Sequence, residues 1–302
     1  MAAACLTTFL WALSAVFAVR SSRLLGGTEA NFWRLTIALV VLGAWAAWRG
    51  EVIANASWHW FAWSGLLGIG LGDTAMFQAL PRLGSRLTVL LVACVTPPLA
   101  AGLEWALLDT RLTVEAIFFG LLALTGVGVA LAPRGSNGAR DHRAVGIAWA
   151  LTSALAGAVG AVVNRQAFAA AAAQGMVPDG ATAAFLRVLG GYGIALVAWQ
   201  LAARVPKAQR TAASEPRLNR LQKWRAIPWV LGNAIFGLIL GVSFYQEALS
   251  ELPAGVVLAV TSLTPLTVIP LAWWLEGDRP TIRSLWGTIT AVLGVIGLVW
   301  TW

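Results

Sequence analysis

A carboxylate inside an apolar run is costly, and this chain places Asp73 well within one, the stretch 58–80. In hydrocarbon such a group either pairs with a cation or faces a polar cavity, where it can bind a cation or carry a proton. Both readings stay open on sequence alone. Two arginines stand in matching settings, Phe32-Trp33-Arg34-Leu35 and Phe185-Leu186-Arg187-Val188. Each lies about one turn into an apolar segment and either snorkels to the near interface or serves as a gate or carboxylate receptor. Glu247, about one turn from the end of another segment, has the same choice between interface and coupling. Neutral side chains that could line a chamber surround these groups: Trp11 and Ser14, Phe77 and Gln78, Trp149 and Thr152, Asn233, Tyr245, Gln246, Thr261 and Thr264. Trp11 is alternatively plain helix packing, and the hydroxyls of Thr261, Ser262 and Thr264 are alternatively bonded back to their own helix. Pro97 and Pro265, each preceded by Thr, fall in mid-segment. There proline deletes a backbone hydrogen bond, which lipid tolerates only beside a cavity or polar neighbours. They are expected to be kinks that shape the chamber.

Enzyme chemistry finds little support. The two histidines, His59 and His142, lie in connections, and there is no His box, Gly-x-Ser-x-Gly or Walker sequence. Cys5 and Cys94 sit in apolar runs and form neither a disulfide framework nor a metal set. No cofactor and no metal are expected, and the chain is not expected to be an enzyme. With no ATP site, any pumping must draw on ion or substrate gradients.

The elements that position these residues follow from composition. The 302 residues are 59% hydrophobic and 11% charged, with a mean hydropathy of +0.75. A soluble protein of this size needs far more polar surface. Ten apolar spans are expected, at about 2–19, 30–48, 58–80, 87–108, 114–132, 144–163, 182–203, 227–249, 254–275 and 282–302, by window length and breaks. Each should be a helix, because hydrocarbon offers the backbone no other partners. Span one resembles a signal peptide in length, but no basic residue precedes its apolar run, so it is read as a retained helix. Trp48, Trp58, Trp60, Trp224, Trp229, Trp300 and Trp302 fall near span ends, where interfacial anchors sit. Glu104 and Glu276, near the ends of spans four and nine, read as interfacial.

The spans fall into two similar sets of five. Gly68-x-x-x-Gly72, Ala79-Leu80, Thr96-Pro97, Asp109-Thr110-Arg111-Leu112-Thr113 and Gly126-Val127 recur as Gly237-x-x-x-Gly241, Ala248-Leu249, Thr264-Pro265, Gly277-Asp278-Arg279-Pro280-Thr281 and Gly294-Val295. The offset is 169 residues at the glycines and 168 from Thr-Pro onward. Trp11-Ala12-Leu13-Ser14 matches Trp149-Ala150-Leu151-Thr152 in the same way. Such a repeat sets the architecture: a first repeat at 1–133, a connection at 134–143 and a second repeat at 144–302 with a basic loop at 204–226. The repeat sets Val242 opposite Asp73 and Gln78 opposite Glu247, so carboxylate chemistry is unequal between the halves.

The net charge of +8 does not signal nucleic acid, because the basic residues lie in short connections between spans. Alternate connections carry Arg20, Arg23, Arg82, Arg86, Arg134, Arg140, Arg143, Arg204, Lys207, Arg210, Arg217, Arg220, Lys223, Arg225, Arg279 and Arg283; the others carry only Arg49, Arg111 and Arg165. The positive-inside rule then sets both termini outside the cytoplasm. An odd number of spans per half threads the halves in opposite senses, the inverted-repeat plan of many secondary transporters.

The ordered set of features resembles the EamA-type permeases of the drug/metabolite transporter (DMT) superfamily. These are the early Trp and the Arg of the second span in each half, the Ala-Leu ends of spans three and eight, the Thr-Pro of four and nine, and the Gly/Asp-x-Arg-x-Thr before each last span. The resemblance implies an all-α integral membrane protein of ten helices in two inverted five-helix repeats around a central cavity. It also implies a bacterial-type inner-membrane location and export or exchange of small polar metabolites, amino acids foremost, by alternating access. Related bacterial members usually hold both termini in the cytoplasm, against the charge count. Expected partners are a small-molecule substrate, the lipid bilayer and protons as coupling ions, with no nucleic acid, in a monomer or weak homodimer. The alternatives are a flippase for lipids or lipid-linked sugars and, more remotely, a membrane-embedded enzyme.

Overall fold

The computed structural model describes residues 1–49, 57–108, 113–131, 140–176, 178–204, 220–251, 257 and 260–301, and these are helical with no strand among them. Helix α1 is Ala2–Leu25 and α2 is Gly27–Arg49. α3 runs without a gap through Trp58–Gly65, a π-helical stretch Leu66–Asp73, and Thr74–Leu108. α4 is Val114–Leu131, α5 Arg140–Ala173 and α6 Gly180–Arg204. α7 again has three pieces: Arg220–Asn233, a π-helical Ala234–Val242, and Ser243–Glu251. α8 is Thr264–Glu276 and α9 is Ile282–Trp300. Among the described residues, seven helical runs are long and apolar enough to cross a membrane, with Val114–Ala130 a shorter apolar helix.

The break expected between 80 and 87 is present. The spans at 58–80 and 87–108 are the two arms of α3, parted at Gly84, whose backbone (φ 79°, ψ 170°) leaves helical space. Gly84 lies in the left-handed half of φ, which side chains other than glycine rarely adopt. Pro97, by contrast, sits within α3 at helical dihedrals. Beside it, the Thr96 hydroxyl bonds back to Val92 O at 2.7 Å and lies 3.3 Å from Ala154 O. Pro265 lies just after a turn at 262–263 that interrupts the helix. It occupies the first turn of α8, with Leu263 as N-cap, where its missing N–H costs nothing. The first residues of the span expected at 254–275 and most of the 204–226 and 134–143 connections lie outside the described residues.

Helices meet through small residues, as they must where lipid is as apolar as leucine. Along α4 and α9, Gly126 faces Ala291, Gly287 faces Ala130 and Gly294 faces Ala123, each so close that a Cβ would meet the partner's backbone. The pairing runs antiparallel, since α4 numbers rise as α9 numbers fall. α2 and α6 also pack antiparallel: Gly43 meets the Phe185 ring, Thr36 Oγ1 lies 3.4 Å from the Tyr192 hydroxyl, and Phe32 stacks on Trp199 at 4.5 Å. Trp48, Trp58, Trp60, Trp224 and Trp300 are exposed on the outside, whereas Trp229 is tucked against Phe17 at 5.4 Å.

Candidate functional site

The two π-helical stretches coincide with the repeated glycines: Gly68 and Gly72 lie in Leu66–Asp73, and Gly237 and Gly241 in Ala234–Val242. A π turn inserts one residue into the helical register and often marks a functional site. Here each ends on repeat-equivalent residues, Asp73 and Val242. Around these turns a polar cluster forms between α1, α2, α3, α5, α6 and α7.

At its first centre Arg34, 3% exposed, pairs directly with Asp73. Its Nε donates to Asn31 Oδ1 at 3.0 Å and its Nη1 to Asn233 Oδ1 at 3.3 Å. The guanidinium also lies over the Phe77 ring, 4.5 Å from its centroid. Asn233 in turn donates to the backbone oxygen of Ser14 at 2.9 Å and reaches its hydroxyl at 3.2 Å. Arg34 is therefore buried and ion-paired with Asp73 rather than snorkelling to the interface.

The second centre lies level with a point further along α2. The antiparallel contacts between α2 and α6 set Arg187 opposite residue 41, about 10 Å beyond Arg34 along the axis. Arg187 lies near Asp73 and the neutral Tyr245 hydroxyl. Tyr245 packs against Trp11, ring centroids 5.0 Å apart. Gln246, fully buried, accepts a hydrogen bond from Asn164 at 3.4 Å. The Arg187 Nε, the Asn164 Oδ1 and the Gln246 Nε2 are buried with no hydrogen-bond partner.

Other expected site residues stand elsewhere. Gln78 bonds Thr28 at 3.0 Å and accepts from Arg82 at 3.3 Å, tying α3 to the start of α2. Glu247 accepts from Gly180 N at 3.3 Å and so caps α6. Thr261 bonds back to Val257 O at 3.0 Å and Thr264 to Thr261 O at 2.6 Å, which is the back-bonded option. Trp149 and Thr152 are corrected outright: both are exposed, and Thr152 bonds back to Ala148 O at 3.0 Å. The helical period turns Ala150, Ser153, Ala154 and Asn164 inward instead. Sequence matching carried the Trp-Ala-Leu-Ser pattern across the repeat but not its rotational phase. Glu276, expected at the interface, has a side chain only 2% exposed and accepts from Ser85.

Sequence reasoning missed Asn31, Asn164 and the polar cavity of about 340 Å³ lined by Arg23, Arg82, Arg86, Arg143, Arg283, Glu276 and Asp278. Asn31 was legible, lying three residues before Arg34 on the same helical face. The cavity gathers the end of α1, the Gly84 break and the starts of α5 and α9 at one end of the bundle.

A search among curated proteins gives no match. A solved structure titled "Crystal structure of protein" shares the fold, with a TM-score of 0.60, 18% identity, and coverage of 98% of this chain and 96% of that one. The profile of the EamA-like transporter family matches residues 1–132 and 144–300. The chain therefore belongs to the EamA-like transporter family, within the DMT superfamily, and is a multi-pass membrane transporter.

Proposed function

We propose that this transporter moves small polar metabolites, amino acids foremost, as an exporter or exchanger working by alternating access between two inverted five-span halves. The observation that carries the reading is the buried polar cluster at the paired π turns. Both halves contribute to it, Arg34 and Asp73 from one, Asn164, Arg187, Asn233, Tyr245 and Gln246 from the other. Buried polar groups at this depth are costly and are kept where a solute or ion must cross. The antiparallel packing of repeat-equivalent helices, α2 with α6 and α4 with α9, supports inversion, and the two separate family matches support duplication. Counting the arms of α3 about Gly84 as two spans brings the first half to five. The basic end that gathers Arg23, Arg82, Arg86, Arg143 and Arg283 is read as cytoplasmic in a bacterial-type inner membrane, with both termini outside.

Purified protein in proteoliposomes, given a panel of labelled metabolites with and without a pH gradient, tests the function. Saturable flux of at least one amino acid is expected. Flux of none, in a preparation that retains its fold, sinks the reading. Labelling of single cysteines in the 204–226 loop from outside intact cells would overturn the orientation.

A further inference from the structure

The repeat gives the two arginines matching places. Arg34 Nη1 lies 3.6 Å from where a Cβ on Gly237 would sit, and Arg187 Nη2 lies 3.3 Å from the equivalent point on Gly68. Each guanidinium thus rests on the glycine of the opposite half. Their partners do not match. Arg34 is satisfied by Asn31, Asp73 and Asn233. The repeat-equivalent residues are Ala184, Val242 and Ser64, and the Ser64 hydroxyl already donates to Gly160 O at 2.8 Å. Arg187 therefore lacks all three. Asn164, one turn beyond the Gly160 that packs on Gly68, is 5% exposed, and its partner Gln246 is fully buried, each with one amide atom unpaired.

A buried guanidinium Nε and two buried amide atoms without partners are costly unless something supplies those partners. The planar fork of Arg187 matches a carboxylate. The amides match hydroxyl, amine or carbonyl groups, and the Trp11–Tyr245 wall matches an apolar or flat portion of a solute. A phosphate ester fits less well, because Arg34 is already neutralised by Asp73 and one guanidinium leaves a dianion partly uncompensated.

We propose that Arg187 is the receptor for a carboxylate on the transported solute, which takes the place beside Arg187 that Asp73 takes beside Arg34, while Asn164 and Gln246 bond its other polar groups. This deepens the transporter reading above and rests on it. The substrates are then small carboxylates or zwitterions, not their neutral or cationic counterparts.

The test uses full-length purified protein and matched probes: each of a panel of amino acids, the primary amide of each, and glycerol phosphate, measured by protection against thermal unfolding and by flux in proteoliposomes. At least one free acid should protect and cross the membrane, with its amide weaker by about tenfold or more, the worth of one charge-assisted hydrogen bond. Arg187→Gln should abolish that discrimination, and Arg187→Lys should retain part of it. The acid–amide comparison is made on the unaltered chain, so it does not depend on a variant folding. If amides match their acids, or only glycerol phosphate binds, the proposal fails while transport stands. If no probe protects or crosses, the proposal fails and the transport reading fails with it.

Discussion

Arg187 faces Gly68 across the two halves as Arg34 faces Gly237, each guanidinium within 3.6 Å of where a glycine Cβ would sit. The contact has a direct consequence for Gly68→Ala. A methyl group there would sit 3.3 Å from Nη2, the end of a flexible side chain that can shift a few tenths of an ångström. The variant should keep its thermal stability within about 1 kcal/mol, as conservative changes with room to relax do. It should weaken protection by the free-acid probe several-fold. Unchanged acid affinity would separate Arg187 from solute recognition.

Arg34 and Asp73 should behave as one unit in stability. Removing either partner alone, by Arg34→Met or Asp73→Asn, leaves a buried group uncompensated and should cost about 3–5 kcal/mol. The double variant should cost clearly less than the two singles combined. Thermal unfolding of the four proteins in one detergent provides the cycle. Additive losses would show that the pair is not coupled.

Asp73→Asn carries a second expectation for flux. The amide can still accept from Arg34 but cannot take up or release a proton, so pH-gradient-driven transport should vanish while exchange without a gradient persists. Proton-driven flux at the original rate would remove Asp73 as the coupling group.

The seam between α4 and α9 tolerates no added bulk. Gly126→Val would drive a branched side chain into the backbone at Ala291, and overpacking of this kind costs about 1–3 kcal/mol. Gly128, on the same helix but with open space around its Cβ position, should accept Ala with little change. Equal melting temperatures for Gly126→Val and the parent protein would refute the close approach.

Asp179 should confer a pH-dependent part of the stability. Burial opposes its charge, but hydrogen bonds from Thr182, Trp45 and Ala181 outweigh that and hold its carboxyl below the usual carboxylate range. Oδ1 accepts from the backbone N–H groups of Ala181 and Thr182 at 3.0 and 3.1 Å, so it caps α6. A lowered folded-state value means the stabilisation is full above about pH 4, the unfolded value, and is lost as pH falls through the folded one. Asp179→Ala should cost about 1 kcal/mol at neutral pH, and the gap to the parent should close in acid. A gap that persists in acid would show that the loss is not electrostatic.

Composition and periodicity alone determined that the chain is a bundle of membrane helices, with a set of residues that recurs in order along it. Runs of apolar residues long enough to cross hydrocarbon admit no other backbone, and Gly68, Gly72, Gly237 and Gly241 kept their spacing in both copies. The cost of charge in lipid likewise singled out Asp73, Arg34 and Arg187 from sequence. Tertiary structure decided what those residues meet. It took coordinates to show that Arg34 pairs directly with Asp73 and that the Arg187 Nε is left without a hydrogen-bond partner. They also showed that Trp149 and Thr152 are exposed while Asn164 is buried, and that Gly84 is the non-helical residue between the arms of α3. The reason is that spacing along a chain sets depth and face only within one helix. The rotation of each helix about its axis, and so the partner across each seam, is fixed by close packing between helices far apart in sequence.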